Sequence, residues 1–296
     1  MEKINLKDYQ ENNLEPKTFY GLNKDIIFCN SCTYSNQKPL SELEFSHNSQ
    51  TKKNTLKLGE QNVCSACKIA ERKKEIDWDE REKKLIEICD KYRSKDGSYD
   101  CIIPGSGGKD SFYVSYMLKY KYNMNPLTIT WAPHIYTSWG WKNFQSWIHS
   151  GLDNFLFTPN GRAHRLLTRL ALENIFHPFQ PFIMGQNHFP IRAAAKYFNI
   201  KLVFYGDTNA EFGNKDDFEN PSKPNKYFTT DNNDNSIISG VNVKELIKKY
   251  KIKLQDLTPY LPITNEEYIN SGTNVQYLGY YLKWHPQECY YFAVEK

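Results

Sequence analysis

The feature that most narrows what this chain can fold into is a glycine loop set between two kinds of periodicity. Residues 99–104, with Cys101, Ile102 and Ile103 at their centre, read as a short apolar strand that ends in Pro104. They run directly into Gly105-Ser106-Gly107-Gly108-Lys109-Asp110-Ser111, after which Phe112, Met117 and Leu118 fall at helical spacing. A strand that turns through glycines into a helix is the opening of a β-α unit, which buries both its faces in a parallel sheet. Further apolar runs at 127–132, 155–158, 182–185 and 202–206 read as strands, with helical patterns at 110–121, 142–150, 162–175 and 189–198 between them. This alternation predicts an α/β fold: a doubly wound, mostly parallel sheet with helices on both faces. Strand-like aromatic text returns at 275–282 and 289–294, and 207–236 is a long aperiodic stretch rich in Asn, Asp, Lys and Pro.

The loop has the chemistry of an anion site. Glycines permit a tight turn and expose successive N–H groups, and the helix that follows adds the positive end of its dipole. The hydroxyls of Ser106 and Ser111 can donate hydrogen bonds, and Lys109 supplies a positive charge for phosphate oxygens. An acid at Asp110 makes sense if it holds Mg²⁺. The spacing is not the G-x-x-x-x-G-K-[ST] of kinases and GTPases.

Ahead of the loop, Cys29-Asn30-Ser31-Cys32 and Cys64-Ser65-Ala66-Cys67 form two C-x-x-C knuckles separated by 31 residues. Each can place two thiolates on one side of a tetrahedral ion, so Cys29, Cys32, Cys64 and Cys67 are expected to close a structural zinc site. His47 lies between the knuckles but is not needed if all four cysteines bind. Residues 1–75 are accordingly expected to be a polar arm plus a small zinc module, and 76–296 the nucleotide-binding domain. That domain should open with a helix capped by Asp77, with Glu80 reaching back. Cys89, Cys101 and Cys289 fall in apolar settings and read as packed thiols.

Composition excludes little beyond disorder: 40% of residues are apolar, 24% are charged, and the net charge is +4. Basic residues are mixed with acids and form no one-signed stripe, so no nucleic-acid partner is expected. There is no run of eighteen apolar residues and no apolar leader after Met1, so no membrane association is expected and the cytoplasm is the expected location.

The S-G-G-x-D-S pattern after a strand resembles the PP-loop ATP pyrophosphatases. That resemblance implies a loop, Pro104 to Ser111, that holds the β- and γ-phosphates of ATP as a leaving pyrophosphate while a substrate oxygen attacks the α-phosphate. Lys109 and Asp110 would be its catalytic residues. A zinc knuckle beside such a loop also suggests a tRNA thiolase, but those enzymes use cysteines downstream of the loop, where this chain has only Cys289. Four segments are instead similar to the N-acetyl sugar amidotransferases of lipopolysaccharide and flagellar glycan biosynthesis: Cys29 to Cys32, Pro104 to Ser111, Ile200-Lys201-Leu202-Val203-Phe204-Tyr205-Gly206-Asp207, and Tyr277-Leu278-Gly279-Tyr280-Tyr281-Leu282-Lys283-Trp284. Gly206-Asp207 departs from the Gly-Glu expected of that family, whose members are also expected to extend past position 296.

The resemblance implies that ATP adenylates the acetamido oxygen of an activated or nonulosonate sugar and that ammonia then displaces AMP, leaving an acetamidine. No glutaminase signature is present, so ammonia is expected from a separate glutaminase subunit or from solution. Thr130-Trp131-Ala132, at the end of a strand, can frame the adenine or simply pack the sheet edge. Gly185 is expected at the same edge as an ATP contact. Gln186 and His188 follow it as substrate contacts, although His188 as a helix cap fits equally well. Asp207, Asn209 and Glu211 are expected to bind metal or sugar hydroxyls, unless they only solvate a loop. A tRNA thiolase and a non-catalytic nucleotide-binding subunit remain the alternatives.

Overall fold

The structure is a computed structural model that describes residues 22–48, 51, 54–207, 212–214 and 220–296. The described residues fall into two compact units, one drawn from Met1–Glu42, Gln50–Glu75 and Asn209–Lys215, the other from Leu43–Ser49, Ile76–Thr208 and Asp216–Lys296.

In the smaller unit the chain is pinned by isolated bridges, Phe28 to Ser35, Pro39 to Thr55 and Leu58 to Cys64, and by one helix, α1 (Ser65–Arg72). Its apolar centre consists of Leu40, Leu56 and two of the knuckle cysteines, Cys29 and Cys64, with Tyr34 and Leu58 against them. So small a core needs a further staple.

The larger unit is built on five parallel strands: β1 (Cys101–Pro104), β2 (Pro126–Trp131), β3 (Asp153–Phe157), β4 (Leu202–Tyr205) and β5 (Asn274–Tyr277). They lie in the order β3-β2-β1-β4-β5, with Ile102 beside both Leu127 and Val203. Side chains alternate faces along a strand, and the core divides accordingly. Ile102, Val203 and Val275 point to one face, where α5 (Gly161–Glu173) and α6 (Gln180–Arg192) supply Ala163, Leu167, Leu170, Met184 and Ile191. Cys101, Ile103, Leu202 and Phe204 point to the other, against α2 (Trp78–Tyr92), α3 (Lys109–Tyr116) and α7 (Pro286–Glu295). The remaining long helix, α4 (Ser138–His149), joins this second layer through Trp147, whose Nε1 donates to Ser115 Oγ at 2.7 Å. The doubly wound α/β architecture expected from the sequence is therefore what the chain forms. Among the described residues, no helix is long and apolar enough to cross a membrane.

Asp77 caps α2, accepting from Glu80 N–H at 2.9 Å, but Glu80 does not reach back: it pairs with Lys84 at 2.6 Å one turn on. Two expected strands are helices. The run 182–185 lies inside α6, which is buried along nearly its whole length, and 289–294 lies inside α7, capped by His285 with Pro286 at its first position. Of the aromatic segment 275–282, only the part to Tyr277 is strand, and Leu278–Tyr281 forms a helical turn. In the stretch expected to be aperiodic, Thr229–Thr230 pairs with Ile263–Thr264; just beyond it, Ile237–Ile238 forms a hairpin with Val241–Asn242 through Ser239 and Gly240.

Candidate functional site

Strand order fixes where a ligand can sit. From β1 the chain moves outward to β2 and β3, then returns to place β4 on the other side of β1. The connections after β1 and β4 therefore leave the sheet in opposite directions and open a crevice at its carboxyl edge, the usual ligand position in open α/β sheets. The glycine loop lies on the β1 side of this crevice, and Gly206-Asp207 lies on the β4 side.

Two of the loop glycines are fixed by sterics. Gly107 has φ +84°, and a Cβ there would come within 2.7 Å of Asn143 O and 2.8 Å of Phe144 Cα in α4. At Gly105 a Cβ would lie 2.3 Å from Ser111 Cβ. Gly108 differs: it caps α3 with ordinary extended dihedrals, and a Cβ there would meet nothing within 4 Å. The first turn of α3 carries Lys109, Asp110 and Ser111. Lys109 Nζ pairs with Asp110 Oδ2 at 2.6 Å, and Ser111 Oγ donates to Gly108 O at 3.0 Å. Both members of the ion pair are partly exposed, and Ser106 and Gly108 are exposed.

Across the crevice, Gly206 is seated on Trp284: a Cβ would fall 2.7 Å from its ring. Gly279 N–H donates to Gly206 O at 2.9 Å. The segment 277–284 thus supports the end of β4, with Tyr277, Leu278, Gly279, Tyr281 and Trp284 all buried. Asp207 is described and intermediate in exposure, whereas Asn209 and Glu211 lie outside the described residues. Cys289, in α7, lies within electrostatic reach of Asp110, Lys109 and Asp207. Burial, with the two acids adding to it, pushes that thiol up to about 12.

Thr130 and Trp131 present their side chains to the core. Thr130 Oγ1 accepts from Asn154 Nδ2 at 2.9 Å, and Trp131 sits in an aromatic nest with Phe157, Phe189 and Tyr260. Ala132 continues the ladder, donating to Phe157 O at 2.9 Å, so this strand end offers a ligand its backbone more than its side chains.

The expected edge at Gly185, Gln186 and His188 is not there. Gly185 is a helical residue buried under Trp131, whose ring atoms would lie 2.3 Å from a Cβ, and Gln186 is half-buried on the same helix. His188 is enclosed, with Nδ1 2.6 Å from Tyr260 O and Nε2 3.3 Å from Tyr227 O. Burial depresses its pKa to about 4, so at neutral pH the ring holds a single proton, which the shorter contact assigns to Nδ1. His188 is therefore a buried residue of α6, held by two backbone carbonyls.

The four knuckle cysteines converge. Their sulfurs all lie within 4.8 Å of one another, Cys29 to Cys67 at 3.9 Å and Cys32 to Cys64 at 3.7 Å. A tetrahedral site with zinc–sulfur bonds of about 2.3 Å has sulfur–sulfur edges of about 3.8 Å, so the cluster has the dimensions that zinc requires. Burial alone would raise the Cys29 thiol, but N–H groups from Cys64 and Ser31 aimed at its sulfur bring it down to about 6. Burial and the neighbouring thiols push Cys67 up, the expected result when thiolates are crowded without a cation between them. His47 is not in this group; it is buried, 4.0 Å from Glu44. The other cysteines are sealed in the core: burial raises Cys89 to about 12 and holds Cys101 well above its ordinary range.

One concave region was not anticipated from the sequence. His134, Asn160, Gly161, Arg162 and Arg165 line a cavity of about 600 Å³ beyond the carboxyl ends of β2 and β3. Two arginines three apart read as a solvated helix face. The usable signal was the asparagine ahead of them, which marks where the helix begins.

No protein-family model matches this chain, and no curated protein matches it. Among solved structures it is similar to NMN synthetase from Francisella tularensis, at 18% identity over 75% of this chain and 87% of that one, with a TM-score of 0.33. A likeness at that score says nothing of activity.

Proposed function

We propose that the protein is a PP-loop ATP pyrophosphatase that converts the acetamido group of a sugar into an acetamidine. The observation that carries this reading is the placement of Gly105 to Ser111 at the sheet's switch point, opposite Gly206-Asp207. Backbone N–H groups and the start of α3 would bind the β- and γ-phosphates, with Lys109 and the two serine hydroxyls as further donors. Asp110, with Asp207 across the crevice, would hold Mg²⁺, which would supply charge neutralisation for departing pyrophosphate.

In the first step the acetamido oxygen bonds to the α-phosphorus, and the bond to the bridging oxygen breaks with its electron pair leaving on pyrophosphate. In the second, the nitrogen of ammonia bonds to the imidate carbon, AMP departs with the carbon–oxygen electron pair, and the nitrogen sheds a proton. Adenylation turns a poor leaving group into a good one, so one hard displacement becomes two easier ones. Ammonia would come from a separate glutaminase subunit or from solution. The support for the sugar branch is the sequence of 200–207 and 277–284, which together build the β4 side of the crevice. The buried, protonated thiols of Cys89, Cys101 and Cys289 weigh against sulfur transfer to tRNA through them.

Pyrophosphate release tests the reading. It should require ATP, Mg²⁺, ammonium and an N-acetyl sugar together; release of orthophosphate with ADP instead would refute it.

A further inference from the structure

We propose that the cavity formed by His134, Asn160, Gly161, Arg162 and Arg165 binds the anionic group of the substrate, a sugar-linked diphosphate or a sugar carboxylate. This rests on the reading that the substrate is an acetamido sugar bound at the same sheet edge.

Four observations converge on it. The cavity, about 600 Å³, is lined by two arginines and a histidine and by no acid. Among the described residues neither guanidinium has a carboxylate partner; Asp256, which accepts from Asn160 Nδ2 at 3.0 Å, is not in the lining. The cavity lies at the start of a thirteen-residue helix, α5, whose first residue is open: a Cβ at Gly161 would meet nothing within 4 Å. Asn160 Oδ1 caps Arg162 N–H at 3.0 Å, which fixes the chain where the arginines leave it.

The fourth observation lies behind the wall. His134 packs on His164 with ring centroids 3.8 Å apart and the rings tilted by 37°, and His164 is buried, with Nδ1 2.8 Å from Tyr260 Oη and Nε2 without a partner among the described residues. Beside it, Trp131 Nε1 is also buried and has no partner among the described residues. Such polar atoms are rare in a settled core, and each calls for a partner.

Position gives the cavity its role. It sits beyond β2 and β3, whereas the glycine loop follows β1. One to two strand spacings, about 5–10 Å along the edge, separate it from the loop. That span suits a sugar whose acetamido group faces the loop and whose anionic group faces the arginines, since paired guanidiniums favour bidentate oxyanions.

Calorimetric titration of the full chain with UDP-N-acetylglucosamine, N-acetylneuraminate, neutral N-acetylglucosamine and α,β-methylene-ATP tests this, in the parent and in Arg162→Gln/Arg165→Gln. The parent should bind at least one anionic probe about tenfold or more tightly than the neutral sugar, and the stronger probe identifies the anion as diphosphate or carboxylate. The double variant should lose that preference to within about threefold, keep its affinity for the ATP analogue within about twofold, and recover part of the preference as Arg162→Lys/Arg165→Lys. A parent that binds no probe or all three alike, or a variant that retains the preference, overturns the proposal. So does a parallel fall in affinity for the ATP analogue, because the cavity would then belong to the nucleotide site. If the parent keeps the anion preference but does not bind the ATP analogue, the cavity assignment stands and the ATP-activating reading fails.

Discussion

Lys109 Nζ and Asp110 Oδ2 lie 2.6 Å apart at the first turn of α3, so the cation and the carboxylate of the glycine loop neutralise each other. Both side chains are partly exposed, and such pairs contribute little to stability. Asp110→Asn should therefore leave the melting temperature within about 2 °C of the parent. Turnover should fall by roughly two orders of magnitude, the scale of losing a group that balances developing charge. Pyrophosphate release and thermal unfolding measured on the same samples check this; unchanged turnover would remove Asp110 from the mechanism.

Neighbouring glycines make a sharper pair. Gly107→Ala must place a Cβ against the Asn143 and Phe144 backbone at φ +84°, and should cost on the order of 2–4 kcal/mol. Gly108→Ala meets nothing and should fold as the parent does. If phosphate approaches this backbone closely, Gly108→Ala will nonetheless bind ATP more weakly. A Gly108→Ala protein with normal ATP affinity would place the phosphates elsewhere.

The loop was legible because its glycine spacing and the strand before it are local features. The errors have a common physical origin. A short apolar run does not distinguish a central strand from a helix buried on all sides, and α6 is the latter, with Met184, Phe189, Pro190 and Ile191 all enclosed. The aromatic text after Cys289 suggested a strand, although Pro286 at the first helical position and His285 as its cap were the available start signals. Gly185 and His188 followed from the first error, since a residue assigned to a strand end is assigned to the ligand edge. The arginine cavity was illegible for a different reason: only the order β3-β2-β1 brings the start of α5 to the same edge as the loop.

The smaller unit should depend on metal. Cys32→Ser opens the four-thiol cluster, and because binding is coupled to folding it should release zinc and expose the segment around Cys29 and Cys64 to proteolysis. The parent purified without chelator should carry about one zinc per chain by elemental analysis. Metal-free protein with the same protease resistance would contradict this.

Acid should destabilise the larger unit before its carboxylates titrate. Burial lowers both His164 and His188 to about 4, below the ordinary histidine value near 6.5. Above that ordinary value the rings are neutral whether the chain is folded or not, and their contribution is complete. As pH falls towards 4 the unfolded chain takes up protons that the folded chain refuses, and each histidine costs about 1.4 kcal/mol per pH unit. Melting temperature should drop steadily from pH 6.5 to 5, and less steeply in His188→Gln. A flat profile over that interval would contradict the buried, neutral assignment.

The central claim is an exchange of oxygen for nitrogen driven by adenylation. Incubation with ATP, Mg²⁺, ¹⁵N-ammonium and a panel of UDP-N-acetyl sugars, followed by mass spectrometry and nitrogen NMR, tests it most directly. Labelled nitrogen should appear in an amidine on the sugar, with AMP formed in equal amount to product. The rate should be almost unchanged in Cys289→Ser, whose buried thiol is assigned to packing. A sugar that never takes up the label while sulfur enters tRNA, or a folded Cys289→Ser protein without activity, would contradict it.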